Sequence, residues 1–265
     1  MPEKVTTRTL AQMKKQCTRI VAITAYDTPS ARLAEQAGVD VVLVGDSVAN
    51  TMLGYETTLP VSLEEVLHHL KAVRRGLKRP LLVADMPFLS YGVAVPDAVY
   101  HAGKLMQAGA EAVKVEGATE PILETIRAMV SIGIPVMAHL GLPPQSIHRF
   151  GGYRVQGRGE EGELLLKSAQ AVQEAGAFAV VLEVLPRSLA KRITESLTIP
   201  TIGIGAGPDC DGEIQVWHDI LGLSEQSFKH TRAYANLRKT ILEAIQQYVE
   251  EVRARRFPTE EQSFE

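Results

Sequence analysis

Cysteine is nearly absent: the 265 residues hold only Cys17 and Cys210. Two thiols so far apart form neither a disulfide framework nor a Cys-x-x-Cys metal or redox site, and a reducing cytoplasm is the expected compartment. Positive charge is not in surplus either. The 28 Lys and Arg face 31 Asp and Glu, a formal net charge of −3, with a pI near 6.2. Phosphate-rich partners are held by clustered cations, so neither nucleic acid nor an anionic membrane is expected, and a small molecule is. Long apolar runs are missing as well. The one long stretch free of Asp, Glu, Lys and Arg, residues 128–148, contains Gly133, Pro135, Gly141, Pro143 and Pro144, which a spanning helix rarely combines. The first fifteen residues mix charges and lack the apolar core of a signal peptide, so export is not expected.

Short β-branched runs alternate with longer amphipathic segments, the pattern of βα units around a parallel sheet. Eight strands are predicted, at 20–25, 39–45, 80–85, 112–116, 134–139, 178–183, 199–203 and, weakest, 214–217. Most are apolar on both faces, as strands buried between a packed interior and an outer layer of helices are. Helices are predicted at 30–37, 62–75, 96–108, 120–131, 162–175 and 187–196. Gly38, Gly76, Gly109, Gly133 and Gly176 suit the left-handed position that ends a helix. No linker divides the chain. The reading is one α/β domain over 1–265, a (β/α)8 TIM barrel of typical length, roughly 250 residues. Residues 225–257 form a helical extension, with a long helix over 227–256 that caps the barrel or reaches a neighbouring subunit.

A parallel barrel carries its active site at the carboxyl ends of its strands. Those ends are ionisable here: Asp46, Asp85, Lys114 with Glu116, His139 and Glu183. Alternation along a strand groups Val42, Val44 and Asp46 on one face, Leu81, Val83 and Asp85 on another, and Lys114 with Glu116. Asp46, Asp85 and Glu116 come from consecutive strands and can converge, and oxygen ligands alone favour a hard ion such as Mg²⁺. The bland alternative is that each acid caps the following helix, which is the reading preferred for Asp27. Lys114 suits a salt bridge to one of the acids, an anion-binding role toward a substrate carboxylate, or both. Glu183 lies on the far side from these acids, where apolar walls would raise its pKa toward that of a general base; a capping role is the alternative. His139 either binds substrate or satisfies polar groups at a loop start. His68 and His69 read as a solvated helix face. Two long loops, 46–60 and 140–160, follow strands and are expected to serve function.

The same residues carry a resemblance. Gly45-Asp46-Ser47, Leu53 to Pro60, Ala84-Asp85-Met86-Pro87-Phe88, Val113-Lys114-Val115-Glu116-Gly117 and Gly151-Gly152-Tyr153 through Arg158 are similar to the ketopantoate hydroxymethyltransferase family. So are residues 202–212, Trp217-His218-Asp219, Tyr234 to Leu237 and Arg256-Phe257-Pro258. The resemblance implies that Asp46 and Asp85 bind Mg²⁺, that Glu116 completes the metal environment, that Ser47 and Lys114 hold substrate, and that Glu183 accepts a proton. The substrate-binding candidates are then Asp46, Ser47, Asp85, Lys114 and His139. It also implies formation of ketopantoate (2-dehydropantoate) from 3-methyl-2-oxobutanoate and 5,10-methylenetetrahydrofolate on the way to pantothenate and coenzyme A, and assembly into homodecamers. The chain departs from the family's usual pattern at Ala49, Pro143 and Glu213, none of them a proposed ligand or base. Two other readings stay open. One is a lyase or mutase of the isocitrate lyase and phosphoenolpyruvate mutase type, whose Lys-Cys-Gly-His segment is absent here; the other is a non-catalytic binding protein on a barrel scaffold.

Overall fold

A computed structural model describes residues 3–146, 154–226 and 228–265. Eight parallel strands close in chain order: β1 (Ile20–Thr24), β2 (Val41–Val44), β3 (Leu81–Asp85), β4 (Ala112–Glu116), β5 (Val136–Gly141), β6 (Ala179–Glu183), β7 (Thr201–Ile204) and β8 (Gly212–Gln215), with β8 pairing back onto β1. The helices of this unit are α1 (Thr7–Lys15), α2 (Thr28–Ala37), the single turn α3 (Val48–Thr51), α4 (Leu63–Arg74), α5 (Val95–Gln107), α6 (Glu120–Ser131), α7 (Glu160–Glu174) and α8 (Arg187–Ser196). The expected (β/α)8 TIM barrel is present.

Local chemistry sets the boundaries. Asp27 caps α2, its Oδ1 accepting the Ser30 amide at 2.7 Å, and Ser62 does the same for α4 through the Glu65 amide, each supplying an acceptor to a helix start that lacks one. β5 begins two residues later than expected because Pro135 has no amide to donate; its carbonyl accepts from Val113 and the pairing starts at Val136. β8 also lies two residues from its predicted place, since Gly212 pairs with both Ile20 and Ile202 and strand propensity discounts glycine. Gly38, Gly109, Gly133 and Gly176 are left-handed as expected. Gly76 is not; a β-carbon there would stand 2.8 Å from the Ala31 Cβ and the Thr28 carbonyl, so it is kept for close approach of α2. Helix α1 was not foreseen. Only Leu10 of its nine residues is buried, and with Val5 it joins the apolar filling of the barrel at the end where Val5 donates to the Arg79 carbonyl.

That filling comprises Ile20, Ala22, Val41, Leu43, Leu81, Val83, Ala112, Met137, Ala179, Val181, Ile202 and Ile214. It is a packed floor, and it leaves the carboxyl ends of the strands for polar side chains.

Residues Trp217–Glu265 make a second compact unit. It holds a short helix, α9 (Trp217–Ile220), and α10 (Leu237–Arg253). The long helix expected over 227–256 is therefore shorter. Ser227 lies outside the described residues, and Asn236 starts the helix by accepting the Lys239 amide. The preceding turn is tied by Tyr234 and Leu237 amides to the carbonyls of Ile220 and Leu221. Among the described residues no helix is long and apolar enough to cross a membrane.

Gly141 ends β5 at φ +105°, and a β-carbon there would lie 2.1 Å from the Glu183 carbonyl oxygen. Gly141→Ala is expected to cost about 3 kcal/mol in urea unfolding, as strain and clash combine. Gly38→Ala, at φ +85° but in open space, should cost only about 1 kcal/mol. The reverse order would show that β5 and β6 are not in such close contact.

Candidate active site

Four of the strands that contribute to the apolar floor, β3 to β6, turn charged as they climb. Leu81 and Val83 lead to Asp85, Ala112 to Lys114 and Glu116, Met137 to His139, and Ala179 with Val181 to Glu183, always at intervals of two. The barrel is staggered, so matching ends are not level. Asp85 is paired with Lys114, Glu116 with His139, and Gly141 with Glu183. Lys114 thereby meets Asp85, with Nζ 2.8 Å from Oδ1. The salt bridge considered for Lys114 is made, and made to this acid.

Asp46 arrives by another route than alternation. Val41 and Leu43 belong to the interior cluster, so Val42 and Val44 face the helices, and a continued strand would carry Asp46 outward with them. The strand stops at Val44. The backbone turns at Gly45, where a β-carbon would lie 2.8 Å from Ser47 Oγ and 3.4 Å from Asp85 Oδ2, and the Asp46 amide donates to Asp85 Oδ2 at 2.9 Å. Ser47 follows, with its hydroxyl 2.8 Å from the buried Tyr26 phenol.

His139, on β5, bridges the carboxylates of its two neighbouring strands, β4 and β6. Its Nδ1 is 3.2 Å from Glu116 Oε1 and its Nε2 is 3.1 Å from Glu183 Oε2, while Lys114 Nζ also lies 3.2 Å from Nδ1. Glu183 is thus linked to the acids of β3 and β4 through one imidazole, and faces that ring instead of apolar walls alone. Asp46, Ser47, Asp85, Lys114, Glu116, His139 and Glu183 are all brought to one end of the barrel.

Charge sets the character of the site. Asp46, Asp85, Lys114, Glu116 and His139 are each at most 7% exposed. With Glu183 they amount to four carboxylates against one ammonium and one imidazole. Fully ionised, the group carries two negative charges in excess. Burial first, then the charges of Asp85 and Glu116, push the Asp46 carboxyl up to about 8. Burial and the adjacent Lys114 ammonium depress the His139 imidazole, but Glu116 and Glu183 outweigh them and raise it to about 9. Burial opposes ionisation of Glu116 too, yet His139 and Lys114 hold it below its ordinary value. Lys114 is held above its own by the three acids despite its burial.

The donor set fits a hard divalent cation: oxygen atoms only, buried, with an excess charge equal to that of one such ion. Asp85 Oδ1 and Glu116 Oε1 are buried without a well-formed hydrogen bond, although each is ion-paired. Among the described residues no three acids or imidazoles already stand around a single point as ligands. Gln145 instead bridges two of them, its Nε2 donating to Asp46 Oδ2 at 3.0 Å and its backbone amide to Glu116 Oε2 at 3.2 Å. Gln145, Tyr91 and Tyr26 are the contributors that sequence reasoning missed. Gln145 lies in a loop singled out for length, and Tyr26 just past a strand end, but neither carries a charge to mark it. Two smaller outcomes belong here. His69 is not merely on a solvated face, since its Nδ1 is 2.7 Å from the Tyr26 carbonyl; and Gly151, Gly152 and Tyr153 lie outside the described residues.

A family model described as ketopantoate hydroxymethyltransferase matches residues 4–260. A 3-methyl-2-oxobutanoate hydroxymethyltransferase of Moorella thermoacetica is 53% identical over 264 residues, covering 98% of this chain and 98% of that protein. One from Thermotoga maritima is 54% identical over 248 residues, 93% of this chain and 92% of that one. Among solved structures, a phosphonopyruvate hydrolase complexed with oxalate and Mg²⁺ superposes with a TM-score of 0.62 at 17% identity, covering 94% of this chain and 87% of that one. A 2,3-dimethylmalate lyase of the phosphoenolpyruvate mutase and isocitrate lyase superfamily gives 0.60 at 18%, over 98% and 91%. At such identities these structures speak for the barrel fold alone.

The raised His139 has a sign that can be measured. A base whose folded pKa lies near 9 against an ordinary 6.5 gives stability that is complete below pH 6.5 and lost as pH rises toward 9. Asp46, raised from 3.8 to about 8, favours the folded state in the same sense, its contribution falling as pH rises from about 4 to 8. The unfolding free energy of chelator-treated protein should therefore fall between pH 6.5 and 9, less steeply in His139→Gln. A rise over that interval would contradict the assignment.

Proposed function

This chain belongs to the ketopantoate hydroxymethyltransferase family, and on that premise we propose that it transfers a hydroxymethyl group from 5,10-methylenetetrahydrofolate to 3-methyl-2-oxobutanoate, forming 2-dehydropantoate. The observation that carries the chemistry is the excess of two negative charges, with every group ionised, among the side chains gathered at the carboxyl end of the barrel. Asp46, Asp85 and Glu116 are the residues that would hold Mg²⁺ there. When bound, the ion supplies positive charge where the keto oxygen of the 2-oxo acid becomes negative.

The chain's own residues account for the remaining work. Lys114, kept protonated by the surrounding acids, adds a fixed positive charge for the substrate carboxylate and for the charge that develops on deprotonation. Ser47, oriented by the Tyr26 phenol, offers a hydroxyl to the same carboxylate. Glu183 takes the proton from C3. Its carboxylate is held by His139, which in turn is held by Glu116, so the base keeps its orientation as it changes charge. C3 then forms a bond to the one-carbon unit, the carbon–nitrogen bonds to the folate break, water supplies the hydroxyl oxygen, and tetrahydrofolate leaves. Family membership supports the donor and the pathway, and the resemblance extends the proposal to a cytoplasmic homo-oligomer. The structural likeness to the phosphoenolpyruvate mutase and isocitrate lyase superfamily does not favour the lyase reaction, since no cysteine lies between Cys17 and Cys210 to form the Lys-Cys-Gly-His segment of those lyases.

The first half of the reaction can be isolated as exchange of the C3 hydrogen of 3-methyl-2-oxobutanoate with solvent deuterium, in Mg²⁺ and without folate. Glu183→Gln should reduce this exchange at least about 100-fold, the usual scale for a lost general base, while Mg²⁺-dependent binding of the 2-oxo acid persists. Full exchange in the variant would remove Glu183 from that role.

A further inference from the structure

Five hydrogen bonds around Gln145 form a buried circuit that the reaction as described leaves unused. The Glu116 backbone amide donates to the Tyr91 hydroxyl at 3.0 Å, and that hydroxyl donates to Gln145 Oε1 at 2.8 Å. Gln145 Nε2 donates to Asp46 Oδ2 at 3.0 Å and to the Met86 carbonyl at 3.1 Å. The Gln145 backbone amide returns to Glu116 Oε2 at 3.2 Å. Tyr91 and Gln145 are both buried.

The circuit has one direction only. A backbone amide can only donate, so the Tyr91 oxygen must accept from Glu116 and turn its own proton to Gln145. Gln145 then presents its carbonyl oxygen to Tyr91, and both protons of its amide nitrogen are committed, one to Asp46 and one to Met86. Turning the amide over would set its oxygen against a carboxylate and a carbonyl, a buried arrangement with no donor. The phenol of Tyr91 therefore decides which end of Gln145 faces Asp46. Gln145 engages one oxygen of each carboxylate, Oδ2 of Asp46 and Oε2 of Glu116, and leaves the other oxygen of each outside its circuit.

We infer that Tyr91 and Gln145 are positioning residues that hold the carboxylates of Asp46 and Glu116 in the orientation that receives a divalent cation. The inference rests on the proposed role of those carboxylates and adds the parts that aim them. Hydrogen-bond partners of metal ligands set ligand direction, and losing one weakens metal affinity about 10- to 100-fold.

The test is an electron paramagnetic resonance titration of the chelator-stripped, full-length protein with Mn²⁺, comparing wild type, Tyr91→Phe and Gln145→Leu. Both variants should bind Mn²⁺ at least about tenfold more weakly, with an altered spectrum of the bound ion, while circular dichroism shows them folded. Should Gln145→Leu fail to fold, Tyr91→Phe, which removes a single oxygen atom, decides alone. A folded Tyr91→Phe with wild-type affinity and spectrum overturns the inference and leaves the cation reading standing. Absence of Mn²⁺ binding in the wild type overturns both.

Discussion

The site depends on an uncompensated charge. Four carboxylates meet one ammonium and one imidazole where water is largely excluded, and like charges in such surroundings repel far more strongly than at a surface. Lys114 against Asp85 and His139 between Glu116 and Glu183 relieve part of that repulsion. Among the described residues no cation is in contact with Asp46, and burial together with the charges of Asp85 and Glu116 pushes its carboxyl up to about 8. A cluster built this way takes up a proton more readily than free carboxylates do, and the divalent cation proposed for it would compete with that proton.

The barrel makes such a cluster possible by separating two tasks along each of β3 to β6. Residues such as Leu81, Ala112, Met137 and Ala179 fill the interior, and the side chains two or four positions onward carry charge. The rigid floor fixes where Asp85, Lys114, His139 and Glu183 stand, and the stagger between strands decides which of them meet. Asp46 and Gln145 come from turns and are fixed by hydrogen bonds, the first by its amide on Asp85, the second by Tyr91. Scaffold and loops thus supply different members of one site, a division common to barrels of this type.

Much of this was legible in the sequence, and the parts that were not share a cause. Strand β4 and helices α6 and α8 fall where hydrophobic periodicity predicts, and Asp85 and Glu116 follow from alternation. Asp46 reaches the expected place for a reason alternation does not contain, since β2 ends two residues before it. Glu183 is not on the far side from Glu116: β4, β5 and β6 are neighbours, and His139 on the middle strand meets both carboxylates. Gln145 and Tyr91 gave no local signal: Gln145 bonds Asp46 across 99 positions of chain and Tyr91 reaches Gln145 across 54. Such pairings arise only when the barrel has closed. The helix of the second unit starts later than expected because the turn before Asn236 holds neither Gly nor Pro to mark a break in the sequence.

If buried negative charge from β3, β4 and the turn after β2 is what the site is built around, the place of a bound metal decides the matter. Crystals grown with Mn²⁺ and measured for its anomalous scattering should show one strong peak bordered by the carboxylates of Asp46, Asp85 and Glu116. A map at saturating Mn²⁺ with no peak there, or with its peak beside other residues, would contradict the account.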